Sequence, residues 1–404
     1  MRTTVILLAA ASTLALATPA LAAPGDPIVL GENVSFDLQA ATRLRYEVVD
    51  QANFANDAEA LTFRMRLGAE LNIDGFKVLV EGEGTAGLSN RYNDTLPFNG
   101  VEPYPVVADP ENVELNRAQL SYLKDGNGVT VGRQRINLGN QRFVGAVGWR
   151  QNEQTFDAVR GQLKQGMFVA DVTYAISQRT IFGVDSPNEH FDGDFVLVNA
   201  GVDTASFDAT AFAYVLDYDS RAAIASQTYG ATATYSRTLR PGASVALTGS
   251  YATQADTGIN PTDYRADYYF AEASGTLSGF TLAANYEVLG SDGGRAAFQT
   301  PLATLHAFQG WADLFLTTPN AGVRDLQVSL RKGFTLPALG PVTAQVAWHD
   351  FDSDFGNRSY GTEIDASLGF RVGPVAMMVK YADYDSEGFA VDTRKFWVQA
   401  EWGF

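Results

Sequence analysis

Arg394-Lys395-Phe396-Trp397-Val398-Gln399-Ala400-Glu401-Trp402-Gly403-Phe404 closes the chain. Its even positions, Phe396, Val398, Ala400, Trp402 and Phe404, are apolar, while the odd ones include Lys395, Gln399, Glu401 and Gly403. A period of two is the mark of an extended strand with unlike faces. An apolar face of this length would stand in water on the edge of a soluble β-sandwich. It is at home in a barrel wall, where side chains alternate between lipid and a water-filled lumen.

The other end of the chain agrees. Residues 1–22 read as an export signal, with Arg2 as the positive start, an apolar run over 5–17, and Ala20-Leu21-Ala22 as the cleavage site. The mature chain, 23–404, reads as one domain. No stretch within it approaches the roughly 18 uninterrupted apolar residues of a membrane helix, so alternating strands are the remaining way to span a bilayer. Cysteine is absent, which excludes disulfides and thiolate metal sites. The formal net charge of −17 becomes −18 when Arg2, the one charged residue of the signal, is removed. That balance argues against nucleic acid as a partner.

Alternation recurs along the chain. Over 34–48, Val34, Phe36, Leu38, Ala40, Leu44, Tyr46 and Val48 face Ser35, Asp37, Gln39, Arg43, Arg45 and Glu47 across the strand. Over 61–73, Leu61, Phe63, Met65, Leu67, Leu71 and Ile73 oppose Thr62, Arg64, Arg66, Glu70 and Asn72. Short turns such as Asp74-Gly75, Asp125-Gly126, Ser278-Gly279 and Gly373-Pro374 alternate with longer polar loops, the longest near 289–322. The pattern predicts an all-β fold: a transmembrane, antiparallel, up-and-down β-barrel of about eighteen strands, with short periplasmic turns, long extracellular loops and small or charged inner faces.

Parity places Arg43, Arg45, Arg64, Arg66, Arg117 and Arg160 in the lumen, with Arg133 and Arg135 nearby but of ambiguous facing. Arginine stays charged and offers a planar fork that grips carboxylates, so a ring of it selects anions. Asp37, Glu47, Glu70, Glu81 and Glu83 share those faces, and simple pairing within the wall is an equally direct reading. The aromatic loop over 290–322 is long enough to fold inward or pack on the rim. Trp311, Phe308 and Phe315, with His306 and Asp313, offer either a stacking surface for sugar rings or a brace for the rim.

The acidic stretches Asp350-Phe351-Asp352-Ser353-Asp354 and Asp383 to Gly388 lack the closing glutamate of a calcium loop, and no metal or other cofactor is expected. His190, His306 and His349 lie in no nucleophile or metal motif, so no enzymatic activity is expected either.

Two stretches carry a family resemblance. One runs from Val131-Gly132-Arg133-Gln134-Arg135-Ile136 through Asn140-Gln141-Arg142-Phe143 and Trp149-Arg150-Gln151-Asn152 to Thr155-Phe156-Asp157. The other is Phe298-Gln299-Thr300-Pro301-Leu302 through His306 and Trp311 to Asp313, ending near Arg324-Asp325-Leu326. Both resemble the alginate-export family of outer-membrane porins, and the last strand resembles the aromatic closing strand of bacterial outer-membrane proteins. The resemblance implies a monomeric barrel in the outer membrane of a Gram-negative bacterium, passing an anionic polysaccharide or its fragments. It also implies outer-membrane lipid, lipopolysaccharide and the barrel-assembly machinery as partners.

Overall fold

The computed structural model describes residues 25–404; the export signal lies outside the described residues. A short strand, β1 (Ile28–Gly31), precedes β2 (Val34–Gln51), β3 (Ala58–Ile73), β4 (Phe76–Gly87), β5 (Asn112–Lys124), β6 (Asn127–Gln134) and β7 (Thr155–Gln165). Next come β8 (Phe168–Arg179), β9 (His190–Asp203), β10 (Phe207–Tyr218), β11 (Ser226–Arg240), β12 (Ala243–Asp256) and β13 (Arg265–Leu277). The chain finishes with β14 (Phe280–Leu289), β15 (Val323–Leu336), β16 (Gly340–Asp352), β17 (Ser359–Val372), β18 (Val375–Ser386) and β19 (Thr393–Gly403).

From β2 onward each strand pairs antiparallel with the next, and β19 returns to β2 from Thr393↔Gln51 to Gly403↔Ala41, closing an eighteen-strand barrel. Closure leaves no open sheet edge, which lipid could not hydrogen-bond. At the seam Ala40 and Phe404 exchange both backbone hydrogen bonds at 2.9 Å. Strand β1 pairs with the start of β2, Ile28 opposite Phe36, and so continues the seam past the last residue.

One rim is made of tight turns. Asp74-Gly75, Asp125-Gly126 and Ser278-Gly279 hold φ at 52° and 89°, 52° and 80°, and 51° and 81°. Two successive positive values give the hairpin turn whose twist matches its strands. The other rim carries nine longer loops, from 52–57 to 387–392. Leu38, Leu67, Phe76, Val78 and Val80 stand exposed on the outer face, as alternation requires.

The inner face departs from the small and charged expectation. Between β7 and β14 it carries Phe156, Phe195, Leu197, Phe212, Tyr214 and Tyr268, all buried. Two inturned loops, 135–154 and 290–322, cover them with Ile136, Val144, Phe298 and Leu302. Part of the lumen is therefore a packed apolar core, stabilised by removal of these groups from water. Trp397, the apolar exception on the odd face of the last strand, is fully buried inside, edge-on to Trp149 with ring centroids 5.7 Å apart.

Candidate functional site

The two inturned loops meet within the barrel. Gly145 N–H donates to the Leu302 carbonyl at 2.8 Å and Thr304 N–H to the Gln141 carbonyl at 3.1 Å. Thr304 Oγ1 bonds Gln141 Oε1 at 2.7 Å. Beneath this contact Phe143 packs on Phe212 and Tyr268, with ring centroids 4.8 and 5.2 Å away. Arg142, from the same loop, reaches Glu287 on β14 at 2.7 Å, and Tyr268 donates to that carboxylate at 2.7 Å.

Loop 135–154 is held on its other side by the arginines of β2 and β3. Arg43 Nη1 donates to the carbonyls of Gly148, Trp149 and Arg150 at 3.1, 3.0 and 3.2 Å. Arg45 donates to the Trp149 carbonyl at 2.6 Å and stacks over the Trp149 ring at 4.0 Å. Arg66 pairs with Glu83 and lies 3.4 Å from Glu153. The buried polar run Arg150-Gln151-Asn152-Glu153-Gln154 is bonded in turn, save Gln151 Oε1: Gln151 N–H donates to Asp109 at 2.7 Å, and Gln154 to the Leu302 carbonyl at 3.0 Å.

The other expected arginines divide by facing. Arg117 is bidentate to Glu81 at 2.9 and 2.6 Å, Arg135 bonds Glu81 at 3.1 Å and pairs with Glu153, and Arg160 lies 2.9 Å from Asp171. Arg133 does not face the lumen. It sits opposite Ala118 in register, on the side of exposed Leu120 and Val131, and pairs with Asp157 at 2.8 Å. Arg135 has the same parity but follows the end of β6, where the loop turns it inward. Arg64 is distinct. It shares Glu401 with Arg43 at 3.0 and 3.2 Å, while its Nε and Nη1 have no hydrogen-bond partner.

Loop 290–322 is pinned by a cluster that sequence reasoning only partly found. His306 stacks flat on Trp149 with centroids 4.1 Å apart, its Nδ1 lies 2.7 Å from Asp313, and Lys380 Nζ donates to its Nε2 at 2.6 Å. Because Lys380 is the donor at Nε2, the ring is a neutral imidazole that gives its Nδ1 proton to Asp313. Burial pushes His306 well below its usual pKa, with Lys380 and Arg150 adding to the effect and Asp313 opposing it. Asp313 is buried too, but His306, Lys395 and Arg150 hold it ionised, the last two at 3.1 and 3.0 Å. Trp311 offers its face to Lys380 at 3.6 Å, and the N–H groups of Trp311 and Ala312 donate to Glu363 at 2.5 and 2.8 Å.

Arg142, Arg150, Lys380 and Lys395 were not singled out from sequence. Arg142 and Arg150 lie within the quoted motif, and Lys380 is the inward charged exception over 375–381, so the signals were present. Among the described residues no group of three or more histidines or carboxylates is placed to hold a metal ion.

On the long-loop side a vestibule of about 560 Å³ opens above the loops, with Arg150, Asp313, Lys395, Thr300 and Leu305 among its walls. Toward the short turns a smaller chamber of about 310 Å³ lies beside Asn137, Leu138 and Gly139, lined by Arg160, Gln162, Asn199 and Thr210. The inturned loops stand between them.

The same barrel occurs in solved bacterial proteins. OccK9 (OpdG) of Pseudomonas aeruginosa superposes with a TM-score of 0.74 at 14% identity, covering 91% of this chain and 98% of that one. Acinetobacter baumannii OccAB3 gives 0.69 at 11% identity over 91% and 99%. Pseudomonas aeruginosa OpdK, solved with vanillate, gives 0.69 at 11% over 91% and 98%. Compared with curated protein sequences, the chain finds no match. The fold is thus that of an outer-membrane porin, and the protein is a β-barrel of the Gram-negative outer membrane. Residues 34–252, more than half of the chain, match the alginate-export family, and the chain belongs to it.

Proposed function

We propose that this barrel is a passive channel for carboxylate-bearing solutes, short uronate oligosaccharides foremost, driven by their concentration gradient. The observation that carries the reading is the cationic wall of β2 and β3, where Arg43, Arg45, Arg64 and Arg66 lie together and the buried Arg64 has only the shared carboxylate of Glu401 as partner. That wall sets a positive field in the lumen, and an ionised carboxylate stripped of water needs donors that the more exposed guanidiniums of Arg117, Arg135 and Arg160 supply two at a time. The vestibule of about 560 Å³ has the size of a small-molecule site, roughly 300–1,000 Å³. That favours fragments of one or a few sugars over a long polymer.

The arginines expected to line the path divide into two duties in this reading. Arg117, Arg135 and Arg160, the more exposed of the set, meet the solute, Arg64 adds a buried charge to the wall, and Arg43, Arg45 and Arg66 chiefly hold loop 135–154. His306 and Trp311 hold loop 290–322 rather than grip sugar, since both sides of the imidazole edge and the indole face are already engaged. A general small-anion channel is the second reading, supported by the solved relation in fold to OpdK with vanillate, a small carboxylate. The histidines have carboxylate, lysine and glutamine partners, which favours structural roles over catalysis. The barrel would work as a monomer among outer-membrane lipid and lipopolysaccharide, inserted by the barrel-assembly machinery.

The test is the reversal potential of purified protein in a planar bilayer under a salt gradient, with and without uronate oligosaccharides. Anion selectivity with uronate block is expected. Cation selectivity, or no conductance, overturns the reading.

A further inference from the structure

Three cations line the long-loop vestibule: Arg150, Lys395 and Arg221. Two are committed. Arg150 and Lys395 both bind Asp313, at 3.0 and 3.1 Å, and Arg150 also reaches Glu47 at 3.3 Å. Arg221 differs, because among the described residues no carboxylate lies within ion-pair distance of its guanidinium.

Its position is nonetheless fixed. Arg221 opens a single 3-10 turn, Ala222–Ile224, and its carbonyl accepts the Ile224 N–H at 3.1 Å. The guanidinium carbon sits 4.4 Å from the ring centroid of Phe191, itself buried at the start of β9. A guanidinium stacked on a ring keeps its edge donors free and its orientation constrained, so little rotamer freedom is lost on binding. Around it the vestibule offers Phe182 and Ile224 as apolar surface, while Gln178 and Thr300 at its wall are buried and already bonded, to Gln154 and Tyr218 and to Arg142.

We infer that Arg221 is the outer capture residue of the channel, taking the carboxylate of a ring-bearing acid on the long-loop side before the solute reaches the β2–β3 wall. The ring lies along Phe182 and Ile224. This rests on the channel reading above. A uronate sugar and an aromatic acid share the chemistry of a ring with one carboxylate, and the experiment separates them.

Channels inserted in one orientation are assayed for current block by a uronate disaccharide or by benzoate, added to the long-loop side or to the short-turn side, with wild type, Arg221→Gln and Arg221→Lys. The readout is the ratio of long-loop to short-turn on-rates. Arg221→Gln is expected to lower that ratio about two- to fivefold at low salt, the weight of one exposed charge pair, with the loss shrinking in 1 M salt. Arg221→Lys, which keeps the charge and loses the planar fork, recovers part of it. A loss confined to the disaccharide names a sugar acid as the ligand; one confined to benzoate names an aromatic acid; either supports the assignment. Wild-type block from both sides with an unchanged ratio in Arg221→Gln overturns this assignment alone. Absence of block from either side in wild type overturns the channel reading with it.

Discussion

Arg43 and Arg64 face each other across β2 and β3 and share Glu401, yet their remaining donors go to different places. Arg43 spends Nη1 on three consecutive carbonyls of loop 135–154, whereas Arg64 bonds no loop atom; its Nε and Nη1, like Nε of Arg43, are buried without a partner. Their substitution therefore separates selectivity from gating. Arg64→Gln is expected to lower the anion-to-cation permeability ratio about two- to fivefold, the size of one partly screened charge, with the pore otherwise quiet. Arg43→Ala leaves the Gly148 and Arg150 carbonyls without this donor, Trp149 keeping Arg45, at about 1–3 kcal/mol for each one that water does not reach, and should show as raised current noise from a loosened loop. Equal selectivity loss without noise in both variants would refute the division. Arginine positions were readable from parity, but not their duties: a guanidinium that clamps carbonyls and one that only adds charge to the wall look alike in sequence.

Loop 290–322 is docked by groups that respond to acid. His306 is neutral in place, faced by Asp313, Lys380 and Arg150, and its pKa is held well below 6.5. A released loop would carry an ordinary histidine, so the undocked form binds more protons once pH falls below about 6.5. Docking is therefore strongest above that value and weakens as pH drops through it. Lowering pH from 7.5 to 5 should raise channel noise or conductance, and His306→Gln should flatten that response. A wild-type profile identical to that of the variant would exclude the imidazole as its origin. The inward fold of this loop was legible as an option from its length and aromatic content. Its partners were not, because Lys380, Trp149 and Glu363 come from distant parts of the chain.

At the scale of the molecule, the seam that closes the barrel runs from Thr393 to the last residue. Phe404 exchanges both backbone bonds with Ala40, and β1 carries on from there. Removing Phe404 breaks that pair at the seam and should lower the thermal stability of the folded band on unboiled gels; unchanged melting would show that the pairs from Thr393 to Gly403, with β1, suffice. Strand number and the outer face followed from alternation because lipid permits nothing else there. The inner face was legible only where it is charged. Phe195 and Leu197 look inward beside exposed Val196 on the same strand, and an apolar run of that kind does not say whether lipid or a folded loop covers its second side.

The two inturned loops leave and rejoin the wall between neighbouring strands, 135–154 between β6 and β7 and 290–322 between β14 and β15. The parts that fill the bore are thus inserts in a frame whose hydrogen bonding and lipid contacts do not depend on their sequence. A lineage of such proteins can change what it admits by rewriting two segments, while the rest of the chain continues to meet one unvarying demand, that of the bilayer.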